Sequence, residues 1–161
     1  MIYSTTQRKA FSLLVTLAII VIMASVAMLV TTLSGKIIKT TTTQFRKEQA
    51  ALLARSYTEL AILAVTGNDR SADCLEDIDA SDVLGNDSDN GEGFRVRTRI
   101  SYIGADDQNL DNCSNTRVFS DQVQTEESSL NIIVDVYVEY KELDNPDSQW
   151  ITYHRRTLQK I

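Results

Sequence analysis

Two cysteines, Cys74 and Cys113, a single histidine, His154, three alternate arginines, Arg95, Arg97 and Arg99, and an acidic stretch containing Asp87, Asp89 and Glu92 are the residues of this 161-residue chain whose types and spacing could do chemistry. The cysteines have three readings. In an oxidising compartment they close a loop of about 40 residues, which in the chain-entropy account contributes about 4 kcal/mol. They could instead be two separate thiols, and two thiols with no nearby His make a poor zinc site. Calcium takes clusters of carboxylate and carbonyl oxygens, so Asp87, Asp89 and Glu92 are weak calcium candidates. Starting the calcium-loop pattern at Asn86, however, places Arg97 where a bidentate acid is needed, and starting it at Asp87 places Gly91 where a ligand is wanted. A solvated acidic loop is the preferred reading, with no cofactor. The arginine row could touch DNA phosphates, or it could pair with Asp135 and Glu139 on a neighbouring strand, and pairing is preferred. Arg155 and Arg156 add little to a DNA surface, and Trp150 and Tyr153 suit sheet packing better than a stacking platform. His154 has no nucleophile or second ligand at a recognisable spacing. With no phosphate-binding glycine loop, nucleophile motif or zinc helix, the chain is not expected to be an enzyme.

These residues sit in a chain of unlike segments. The formal net charge is −6, but residues 1–10 carry +2, residues 36–65 carry +3 and residues 66–161 carry −11. The acidic balance disfavours a general nucleic-acid or anionic-membrane binder. From Ala10 to Val30 there is no charge, and only Ser12, Thr16 and Ser25 are polar. At about 1.5 Å per residue that run makes a helix of roughly 31 Å, enough to cross the hydrocarbon layer. It is longer than the apolar core of a cleaved secretory signal. Positive charge prefers the cytoplasmic side, and Arg8 and Lys9 lie closest to the apolar edge, so the head is expected outside.

The run Arg8-Lys9-Ala10-Phe11-Ser12-Leu13-Leu14-Val15, continued by apolar residues to Ala24, resembles the N-terminal cleavage and methylation motif of type IV pilin-like proteins, which include the pseudopilins of type II secretion and competence systems. The resemblance is specific over residues 8–24. It implies a leader with the basic signal Arg8 and Lys9, cut on the cytoplasmic side between Ala10 and Phe11 by a prepilin peptidase, and N-methylation of Phe11. It further implies a single-pass subunit of a bacterial inner membrane, with its head in the periplasm or on an exported filament. Its partners would be other pilin-like subunits and an inner-membrane assembly platform. The sequence departs from the family twice: Ala10 stands where Gly is usual, and Val15 stands where a Glu usually neutralises a neighbour's terminal amine in the filament core. An unpaired amine in that core is costly, so Val15 points to a minor subunit. The rival reading is an uncleaved single-pass protein with a periplasmic ligand-binding head.

The fold expectation is α+β: a long N-terminal helix, half transmembrane and half amphipathic, packed on a three- to four-stranded antiparallel sheet, as in pilins. Residues 1–10 are the leader, 11–34 the membrane helix, 35–66 the amphipathic stem and 67–161 the head. On the stem, Phe45, Gln49, Leu52, Leu53, Ser56, Tyr57, Leu60, Leu63 and Ala64 recur at helical spacing as an apolar face, with Arg46, Lys47, Arg55 and Glu59 elsewhere. Thr41 and Gln44 could cap a separate helix, although one continuous helix ending at Gly67 and Asn68 is preferred. Residues 68–93 read as an acidic loop with a helical turn near Cys74–Ile78. Strands are expected at 94–103, 130–141 and 149–158, with a short one at 117–119. Asp144–Ser148 reads as a turn.

Overall fold

The computed structural model describes residues 5–84, 91–104, 110–123, 130–142 and 147–161, and the side chains of these except at 5–12 and 81–84. Among the described residues one helix, α1 (Thr5–Gly67), precedes five strands, β1 (Asp77–Leu84), β2 (Phe94–Gly104), β3 (Val118–Ser120), β4 (Leu130–Tyr140) and β5 (Ile151–Lys160), with a 3₁₀ turn at Leu110–Asn112. The arrangement is α+β. The chain divides into two compact units at Gln44/Phe45.

The first unit is helical through the threonine run. Thr40, Thr41, Thr42 and Thr43 each donate their hydroxyl to the carbonyl four residues earlier, at 2.9 to 3.0 Å. Thr41 therefore does not cap a new helix. Its hydroxyl is satisfied by Ile37 O inside a continuous one, which offsets the weak helix preference of a β-branched residue.

In the second unit the sheet order is β1-β2-β4-β5, antiparallel throughout, and β3 pairs β2 in parallel. Five strands replace the expected three to four. The added one is β1, formed where an acidic loop with a helical turn was expected. Asp disfavours strands, but the segment alternates, with Ile78 and Ala80 turned to the core and Asp77 and Asp79 exposed opposite the β2 arginines. Strand pairing rewards that alternation and overrides local propensity.

The core lies on one face of the sheet. Val96, Thr98, Ile100 and Tyr102 of β2 and Ile132, Val134, Val136, Val138 and Tyr140 of β4 are buried, as their period-two pattern predicts. The helix face that covers them overlaps the expected one only in part: Leu53 and Tyr57 of that face pack against the core, but its other bulky residues do not. Arg46, Ala50, Ala54, Thr58, Ala61 and Val65 are buried, whereas Phe45, Leu52, Leu60 and Leu63 are exposed. Four-residue spacing of small side chains lets the helix approach a sheet whose own large residues already fill the space, since interiors are packed to crystal-like density. The bulky stripe, rotated away from that contact, stays in solvent.

Candidate functional site

Three places on the chain join residues that could act: the apolar surface of α1, the outward face of the sheet and the disulfide region. Along the first unit, apolar side chains are exposed on every side from Leu13 to Ile38. Among the described residues this is one helix long and apolar enough to cross a membrane. Val15 is on it and 39% exposed. The helix backbone runs through Arg8, Lys9, Ala10 and Phe11, whose side chains are outside the described residues.

In the second unit the apolar surface narrows to a stripe. Phe45, Gln49, Leu52, Ser56, Leu60 and Leu63 average 3.6 residues apart, and Phe45, Leu52 and Leu63 are 61%, 60% and 71% exposed. A groove of about 380 Å³ lies along it, lined by Gln49, Leu52, Leu53, Ser56 and Phe94. Beside the groove, Arg46 is only 6% exposed and its guanidinium lies 4.8 Å from the Phe94 ring centre and 5.5 Å from that of Tyr140. Its Nη2 donates to Gly93 O at 3.0 Å. Burial lowers the Arg46 pKa and raises that of Tyr140. The ring faces and one carbonyl thus replace water for a buried cation that no carboxylate contacts among the described residues. The sequence had placed Arg46 on the polar side because charge ordinarily marks solvent.

On the outward face of the sheet the arginine row is paired. Arg97 bonds Glu139, as the cross-strand reading expects. Arg99 bonds Asp79, with Asp77 at 3.4 Å, and the Asp79 hydrogen bond raises its pKa. Arg95 lies over the Trp150 ring at 4.2 Å, and Lys141 lies over the same ring at 5.0 Å. Asp135 does not serve the row, although it stands opposite Arg99 in register. It accepts from Arg156 Nε and Nη2, both at 2.8 Å, and has His154 Nε2 at 2.6 Å. Burial alone would raise the Asp135 pKa, but the bonds to Arg156 and His154 outweigh it and hold the carboxyl below its usual range. The His154 ring stacks on Tyr137 at 4.5 Å between centres. His154 and Arg156 fall two apart on one strand, so their shared face was legible. Their common partner was not.

Cys74 and Cys113 are bonded, with Cα atoms 5.0 Å apart. The bridge belongs to a set of ties between the segment after α1 and the sheet. Ser114 N and Oγ donate to Glu76, Arg117 donates to Asp77 at 2.9 Å, and Asn112 Nδ2 donates to Ser71 O at 2.6 Å. Tyr102 Oη donates to Leu75 O, and burial pushes its pKa up to about 12. A shallow depression of about 580 Å³ beside the bridge is lined by Asp73, Glu76 and Asp77. Two of those carboxylates are already engaged by Ser114 and Arg117. Among the described residues no three His, Cys, Asp or Glu side chains converge on a metal-sized site. Of the calcium candidates, Asp87 and Asp89 lie outside the described residues, and Glu92 is within them.

No protein-family model, curated protein or solved structure matches this chain.

Proposed function

We propose that the chain is a prepilin-like structural subunit, of the minor kind, in a type IV pilus or a type II secretion or competence pseudopilus. The observation that carries the reading is the apolar surface of α1. It surrounds the helix as far as Ile38 and then continues as the exposed stripe of Phe45, Leu52, Leu60 and Leu63, while small residues face the sheet. A bilayer can cover the first part. The stripe lies beyond a membrane-length segment and has its bulky residues turned away from the head's own core, so lateral contact with other helices suits it. The motif at Arg8–Val15 supports the same reading. The mechanism is mechanical: one helix anchors the subunit before assembly and becomes filament core after it, and the acidic head sets neighbour contacts.

Processing tests this reading directly. Mass spectrometry of the chain purified from bacterial inner membranes that contain a prepilin peptidase is expected to find a mature N-terminus at methylated Phe11. An intact chain beginning at Met1 overturns the reading and leaves the single-pass ligand-binding protein. Restoring the acid with Val15→Glu is expected to increase incorporation along the filament shaft, because the carboxylate can then neutralise a neighbour's amine.

A further inference from the structure

The two outer strands of the sheet are built differently. β1 has a register shift between Ala80 and Leu84 and exposes Asp77 and Asp79. Irregularity and charge are the usual protections of a sheet edge against added strands. β5 lacks the irregularity: all ten of its residues pair with β4 with no register shift. From Ile151 to Ile161 the sequence has no Pro and no acid, but it carries Arg155, Arg156 and Lys160. Among the described residues no strand pairs β5 on the side away from β4. Arg156 bonds Asp135 yet keeps a 62% exposed side chain, and the buried Nε of Arg155 has no hydrogen-bond partner among the described residues.

We infer that β5 is a docking edge that receives an extended, acidic segment of a partner polypeptide as an additional antiparallel strand. Charge selects this occupant. Opposed residues of an antiparallel pair share a face, so near-full overlap with the β5 of a second copy sets Arg155 or Arg156 directly against its own counterpart, and like charges directly opposite are destabilising. A strand with two adjacent acids meets both arginines, one on each face of the sheet, because neighbouring strand residues point to opposite sides. The main-chain ladder supplies affinity and the acid pair supplies selection. The inference uses the head alone and stands apart from the filament reading.

The test is amide hydrogen exchange on the full chain in detergent micelles. The probes are peptides of about ten residues with alternating Val and Thr and a central Glu-Glu pair, a Lys-Lys counterpart, and a Glu-Glu version interrupted by two prolines. The Glu-Glu peptide is expected to slow exchange across Ile151–Lys160 by about tenfold or more, and the other two are expected to leave it unchanged. In the Arg155→Glu, Lys160→Glu variant, with Trp150 fluorescence as a check on the fold, the preference is expected to pass to the Lys-Lys peptide. Four results overturn the inference: no slowing in β5, slowing that ignores peptide charge, equal slowing by the proline peptide, or a folded variant that still prefers the Glu-Glu peptide.

Discussion

From Leu13 to Ile38, α1 exposes Leu, Ile, Val and Met around its whole circumference, whereas from Phe45 to Gly67 the same helix buries Ala50, Ala54 and Ala61 and exposes Phe45, Leu52 and Leu63. Apolarity therefore means something different in each stretch. In the first there is no head core to select a side, and the surface is uniform enough for lipid on any face. In the second the sheet selects a side by shape, and the residues it selects are the small ones. Hydrophobic size alone places only Leu53 and Tyr57 of the expected face on the core and misplaces Phe45, Leu52, Leu60 and Leu63, since the depth of a helix on a sheet is limited by the side chains between them.

The largest break in this comparison is a change that unfolds the second unit and spares the first. Cys113→Ser removes the link across 39 residues and is expected to cost the head about 4 kcal/mol, read by denaturant unfolding through Trp150, the one tryptophan. Helical circular dichroism from the apolar segment in micelles should survive the transition. Next in size, Ala54→Leu overpacks the buried stripe and is expected to cost about 2 to 3 kcal/mol in the same assay. A head as stable as the parent would show that the alanine stripe does not set the helix depth.

Asp135→Asn weakens the bonds to Arg156 and His154 and is expected to cost about 1 to 2 kcal/mol at neutral pH. The Asp135 carboxyl is held below its usual range in the folded head. Its contribution is therefore present above the ordinary carboxylate pKa of about 4 and is lost as pH falls through the lower folded value. The gap between parent and variant should narrow in acid, and a constant gap would assign the effect to packing. The smallest stability effect belongs to the exposed stripe. Leu52→Ser with Leu63→Ser is expected to shift head stability by less than about 0.5 kcal/mol per site. The same pair should reduce cross-linking between copies in the membrane, which places the stripe in assembly and not in the fold.

How much of this was legible varies by element. β2 and β4 were legible because Val96-Thr98-Ile100 alternates with Arg97 and Arg99, and Val134, Val136 and Val138 fall out of phase with Asn131, Asp135 and Glu139, period two being a local property. β1 was missed because Asp77, Asp79 and Asp82 lower strand propensity, and the arginines that offset two of them, Arg99 and Arg117, lie 20 to 40 residues away. Arg97–Glu139 was anticipated from facing strands, but Asp135 was assigned to the row when Arg156 and His154 hold it. Strand alternation names the face a charge occupies. It does not name which neighbour on that face will win.

By itself the sequence determined most of the kinds of element and their rough limits: a membrane-length apolar helix, an amphipathic continuation ending near Gly67 and alternating strands. Those properties depend on neighbours within a few residues, where periodicity and charge act directly. Only the tertiary structure decided which helix face met the sheet, that the acidic segment supplied an edge strand, that Arg46 was buried against two rings and that Asp135 served β5. Each of those outcomes is a competition among groups far apart in sequence, settled by volume and distance once the chain is packed.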